Sequence, residues 1–187
     1  MGTRSLTAVQ QGGTYKIAQY GQFDGYPSAA GATILDFLAT WDRPSFEQKL
    51  DLISFNTPDY IERINAQIVE QGLVNTWPQK WPELHRETGA KILAIVANSP
   101  NPEALRLTNN LPFAGDSLMC EWAYVIDLDA NTFEVFKGFN KTPLTPQDRF
   151  HHIHDPESSA GYFPVRKIAS YPLDALPTVE AIEAAAK

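Results

Sequence analysis

Thr3-Arg4-Ser5-Leu6-Thr7-Ala8-Val9, then Gln10-Gln11-Gly12-Gly13, then Thr14-Tyr15-Lys16-Ile17-Ala18-Gln19-Tyr20 is the stretch that decides the fold. The first and third pieces carry the β-branched and apolar content of strands. The Gly-Gly pair between them reads as a tight hairpin turn rather than a nucleotide-binding loop. The chain then runs through Gln22-Phe23-Asp24-Gly25-Tyr26-Pro27 into a helix. A strand pair therefore delivers a polar-aromatic loop to a helix start, and that corner is the first place to look for a site.

Working outward, the apolar residues Ile34, Phe37, Leu38 and Trp41 recur at helical spacing after Pro27. Asp42-Arg43-Pro44 ends that helix, and Phe46, Leu50 and Ile53 continue the period in a second one. Thr57-Pro58-Asp59 combines a hydroxyl cap, a first-turn proline and an acid facing the helix dipole. Ile61, Ile64 and Ile68 then form one face, and Gly72 stops the helix. Trp77-Pro78 and Trp81-Pro82 mark a bend or a helix entry. Residues 91–97 fit either a helix or a buried strand. Leu105-Arg106-Leu107 suits a short edge strand.

Residues 118–128 alternate strictly, with Leu118, Cys120, Trp122, Tyr124, Ile126 and Leu128 on one expected face. Asp129-Ala130-Asn131 turns the chain, with Asn131 suited to a left-handed conformation. Phe133–Phe139 returns as the partner strand. Residues 141–161 form a loop rich in Pro, His, Asp and Ser. Phe163–Tyr171 reads as a last strand, and Leu176-Pro177-Thr178 opens a terminal helix. Strands at both ends around a helical middle predict a single α+β domain over residues 1–187. Its sheet should be mostly antiparallel, with four or five strands and helices on one face.

Composition narrows the function classes. The chain has 187 residues, 43% hydrophobic and 20% charged, with a net charge of −7. That is globular composition. The acidic balance shows no basic patch and argues against nucleic acid as a partner. No apolar run reaches the length of a membrane span, and no secretory signal opens the sequence. Cys120 is the one cysteine, so no intrachain disulfide can form. A soluble cytoplasmic protein is expected.

Met1-Gly2-Thr3-Arg4, Phe23-Asp24-Gly25-Tyr26-Pro27 and Glu121-Trp122-Ala123-Tyr124-Val125-Ile126-Asp127-Leu128-Asp129 resemble an uncharacterised family of small bacterial, phage and fungal proteins. Tyr162-Phe163-Pro164-Val165 and Leu173-Asp174-Ala175-Leu176-Pro177 resemble the C-terminal part of that group. The resemblance implies a short α+β domain and carries over no activity. The opening strand pair is also similar to that of N-terminal nucleophile hydrolases. Their chemistry needs Cys, Ser or Thr as the first residue, whereas removal of Met1 here exposes Gly2.

Four residues of the opening unit and its neighbour are candidate ligand contacts: Arg4, Asp24, Tyr26 and Glu121. Arg4 offers a bidentate fork to a carboxylate or phosphate. Asp24 and Tyr26 precede a helix N-terminus, whose free N–H groups favour anions. A small anionic ligand would suit this corner. The structural alternative is that Asp24 caps the helix or pairs with Arg4.

His151-His152-Ile153-His154-Asp155 holds three of the four histidines. Imidazole and carboxylate are ligands for divalent metals, and such an ion would fall to His152, His154 and Asp155. The His-x-His-x-Asp-His spacing of a binuclear hydrolase is not met. A solvated loop is therefore the stronger expectation, and no cofactor is predicted. Cys120 is expected in the core rather than as a nucleophile. Trp77–Pro82 is either an aromatic contact for a partner or a lid over the helical layer.

Together these features point to a binding or interaction module, with a protein partner or a second copy as its ligand. The alternative is a small hydrolase-like enzyme with its pocket between the Asp24–Pro27 loop and the Glu121 strand.

Overall fold

The computed structural model describes residues 2–153 and 161–187. The opening hairpin forms as expected. Strand β1 (Ser5–Gln11) pairs antiparallel with β2 (Thr14–Gly21) across a turn in which Gly12 and Gly13 both have left-handed φ, 61° and 71°. A one-turn π-helix at Pro27–Gly31 leads into α1 (Ala32–Thr40), followed by α2 (Arg43–Leu52). Asp42 caps α2 by accepting from Ser45 N. A two-residue strand, β3 (Ser54–Phe55), precedes α3 (Pro58–Glu70) and the single turn α4 (Trp77–Lys80). Residues 91–97 prove helical: α5 spans Ile92–Asn98. Next come β4 (Arg106–Leu107), β5 (Trp122–Asp127), β6 (Thr132–Lys137), β7 (Arg166–Pro172) and α6 (Val179–Ala185).

The main sheet has five strands in the order β2-β1-β5-β6-β7, and β3 and β4 form a separate parallel pair. The fold is α+β with a mostly antiparallel sheet. The exception is β1 with β5, which run parallel with Ser5 opposite Trp122. The sheet turns Val9, Ile17, Tyr124, Ile126, Phe133 and Val135 towards α1, α2, α5 and α6. Its second face carries Leu6, Ala8, Ala18, Ala123, Val125 and Phe136, covered by Ala114, Cys120, Phe150 and Val165 from irregular segments. Both faces are therefore buried, one by helices and one by loops.

The strand expected over 118–128 is shorter. Cys120 N and Met119 N both donate to the Asp116 carbonyl, at 2.8 and 3.1 Å. That turn breaks the alternation before Trp122. Cys120 consequently sits with Ala123 and Val125 on the loop-covered face, not with Trp122 and Tyr124. Asn131 takes the left-handed conformation its position suggested, with φ 55°.

Both outer edges are protected. Along β2, Asn110 Oδ1 accepts from Tyr20 N at 3.2 Å, Asn110 N donates to Ala18 O at 2.9 Å, and Gln22 N donates to Arg86 O at 2.9 Å. The β7 edge carries Arg166, Lys167 and Pro172, residue types that discourage pairing with another strand. Among the described residues no helix is long and apolar enough to cross a membrane.

Candidate functional site

The parallel register of β1 and β5 sets Arg4 beside Glu121. Arg4 N and Nη2 both reach Glu121 Oε1, at 3.3 and 3.4 Å, and Arg4 Nη1 donates to Met119 Sδ at 3.2 Å. Arg4 Nε is buried without a partner among the described residues. Asp24 lies elsewhere. Its backbone is left-handed, with φ 55°, and its carbonyl accepts from Ala30 N at 3.0 Å. Its carboxylate accepts from the Tyr26 hydroxyl at 3.3 Å.

Neither structural role expected of Asp24 is seen: Arg4 pairs with Glu121, and Tyr26 occupies the helix N-cap with no side chain capping it. The loop is fixed through Gly25. Its N–H donates to Thr3 O at 2.8 Å, and its carbonyl accepts from the buried Tyr124 hydroxyl at 2.9 Å. Burial holds the Tyr124 phenol well above its ordinary pKa. A Cβ on Gly25 would come within 2.8 Å of Ser5 Cβ, so only glycine fits this crossing.

A hollow of about 280 Å³ opens beside Asp24, lined by Ser5, Phe23, Thr33, Glu87, Thr88 and Lys91 among others. Arg4, Tyr26 and Glu121 are not among its walls. The four candidate residues are thus divided into an Arg4–Glu121 pair and an exposed Asp24–Tyr26 pair.

A charged cluster that periodicity did not reveal lies on the loop-covered face. Arg149, in the segment between β6 and β7, reaches the sheet. Its Nε donates to Glu134 Oε2 at 2.5 Å, its Nη2 to Asp127 Oδ2, and its Nη1 to Gln10 Oε1 and, at 3.3 Å, to the Tyr15 hydroxyl. Lys167 Nζ donates to Glu134 Oε1 at 3.0 Å. Asp127 Oδ1 accepts from Asp129 N and Ala130 N. Burial alone would depress the Arg149 pKa, but its hydrogen bonds to Glu134, Tyr15 and Asp127 outweigh that and raise it. Burial likewise raises Tyr15. Every oxygen of both carboxylates has a donor, so the cluster clamps a loop to the sheet.

His152 is exposed and lines an open depression of about 520 Å³ above this cluster, with Arg149, Lys167, Gln147 and Tyr15. His154 and Asp155, its proposed co-ligands, lie outside the described residues. Among the described residues no group of three His, Cys, Asp or Glu side chains is placed to hold a metal ion. Cys120 is fully buried, and its thiol donates to Trp122 O at 3.4 Å. Burial pushes its pKa far up, which removes the thiolate a nucleophile requires.

A largely apolar opening lies at α3. Thr57 caps this helix, its hydroxyl accepting from Tyr60 N at 3.3 Å. After Gly72, at φ 63°, the chain reverses. Leu73 N donates to Ile68 O at 2.8 Å, and Trp77 N to Leu73 O at 2.7 Å. That reversal lays Trp77 and Leu84 beside the isoleucine stripe. The resulting cleft of about 280 Å³ is lined by Ile61, Ile64, Ile68, Val74, Trp77 and Leu84. Within α3 only Ile64 is buried. Val69 in its last turn and Val74 in the turn that follows are 74% and 64% exposed. Trp77 packs edge-on against His85, at 5.2 Å between ring centroids, and Lys80 donates to Gln71 Oε1 at 2.9 Å. The Trp77–Pro82 stretch thus stands beside α3.

No family model, curated protein or solved structure matches this chain. The functional reading therefore rests on geometry.

Proposed function

We propose that this protein is a binding module that receives apolar side chains of a protein partner in the cleft between α3 and the Trp77–Leu84 segment. One observation carries the reading. An amphipathic helix leaves Ile61 and Ile68 only half-buried on an open apolar cleft, beside the half-buried Trp77 and the strongly exposed Val74. Exposed apolar surface of this kind, with a central aromatic, is where partners dock. A second copy of the chain is one such partner. It would meet this cleft rather than a sheet edge, because Asn110 and Arg86 cover β2 and charge guards β7. An enzyme with its pocket between Asp24–Pro27 and Glu121 has less support, since the hollow beside Asp24 is not lined by Tyr26, Pro27 or Glu121.

The test is site-specific photo-crosslinking in the native cell. A photoreactive residue at Val74 should capture a defined partner or a second copy. The same residue at exposed Glu183 should not, and Ile61→Asp should abolish the Val74 adduct. A Val74 yield no greater than that from Glu183 would overturn the reading.

A further inference from the structure

A further cavity, separate from the α3 cleft, lies between α1, α2 and α5. It has a volume of about 420 Å³, within the range of small-molecule sites. One wall is aromatic: Phe37, Trp41 and Phe46 pack together with ring centroids 5.1–5.8 Å apart. Its floor is cut low by Ala90, Ala94 and Ala97. Two carboxylates, Asp36 and Asp42, stand in its lining, and no lysine or arginine does.

The chemistry of these walls is selective. Aromatic faces attract cations through their quadrupole, and nearby carboxylates add to that attraction. This indole already holds one cation, since the Arg43 guanidinium carbon sits 5.8 Å from the Trp41 ring centroid. Arg43 is anchored by Glu47 at 2.6 Å and Asn131 at 2.5 Å, so it does not fill the cavity. The half-buried Lys49 ammonium is tied to the Ala97 carbonyl, and Lys49 is not in the lining. Asp42 uses one oxygen to cap α2 and has the other available. Asp36 has no side-chain partner among the described residues. Both carboxylates are exposed at the mouth of the cavity, where they attract a cation and repel an anion.

We propose that this cavity binds a small organic ammonium ion, with its alkyl groups against Trp41 and Phe37 and its charge facing Asp36 and Asp42. The site is independent of the α3 cleft, and its failure would leave that reading untouched.

The probe is choline, titrated into the full chain and followed through the Trp41 indole and Ala94 amide signals by NMR. Its neutral isostere, 3,3-dimethyl-1-butanol, serves as control. Choline should produce saturable shifts confined to the cavity, and the isostere should bind at least about fivefold more weakly. The double variant Asp36→Asn/Asp42→Asn keeps the α2 cap, because asparagine caps as well as aspartate. It should weaken choline at least about fivefold and remove the salt dependence of binding. Equal binding of the isostere, unchanged affinity in the double variant, or no cavity shifts with choline would each overturn the proposal.

Discussion

Arg149 Nε lies 2.5 Å from Glu134 Oε2, joining an irregular segment to the middle of a strand 15 residues earlier. The side chains involved are largely buried: Arg149 is 14% exposed, Glu134 7% and Asp127 5%. Removing the cation leaves the buried Asp127 without an ion-pair partner and Glu134 with Lys167 alone. Arg149→Met is therefore expected to cost about 3–5 kcal/mol in chemical denaturation. Arg149→Lys should recover little, because an ammonium cannot reach Glu134, Asp127 and Gln10 together. A loss under about 1 kcal/mol would show that the clamp contributes no stability.

The opening turn predicts a pH dependence. Asp129 accepts from Gly12 N and Gly13 N, both at 2.8 Å. Those two N–H groups, Gly13 first, hold its carboxyl below the ordinary 3.8. A lowered folded pKa gives stabilisation that is complete above the unfolded value and lost as pH falls through the folded one. NMR titration should show the Gly12 and Gly13 amides moving together below pH 3.8, and Asp129→Asn should abolish that step.

Asp24 tests backbone strain against side-chain chemistry. A non-glycine residue at φ 55° bears a conformational cost of about 1–2 kcal/mol, which asparagine tolerates best and glycine escapes. Asp24→Asn should leave the melting temperature unchanged, Asp24→Gly should hold or raise it, and Asp24→Val should lower stability by about 1–2 kcal/mol. Equal effects of all three in thermal unfolding would dismiss the strain.

Cys120 offers a probe of opening. Its buried thiol should react with an aromatic disulfide reagent only as fast as the surrounding structure opens, and at once in denaturant. Rapid labelling in native buffer would contradict the packing described.

Local elements were the most legible in the sequence. Thr57-Pro58-Asp59 announced α3 because cap, proline and acid act within one turn. Asn131 marked the β5–β6 turn for a similarly short-range reason. Pairings between distant segments were not legible. Nothing local tells β1 to run parallel to β5, since that register is settled by packing on two faces at once. The face of Cys120 was misassigned because strict alternation assumes an unbroken strand, and the Asp116 turn interrupts it. Arg149 carries no sequence signal, because its partners come from the hairpin, β5 and β6, while its own segment has no periodicity. The acidic alternation of Asp127 and Glu134 on one face was the available clue.

The parallel pairing of β1 with β5 also bears on how the chain is made. On a ribosome, the β1–β2 hairpin emerges before β5, and the strand that completes it follows only after a long helical interval; Arg4 and Glu121 stand 117 positions apart. Until then one side of β1 offers open hydrogen-bonding groups, with Leu6 and Val9 uncovered. The interior of the finished sheet is thus an exposed edge in the growing chain. A nascent-chain chaperone would find its most vulnerable substrate in the interval before β5 appears.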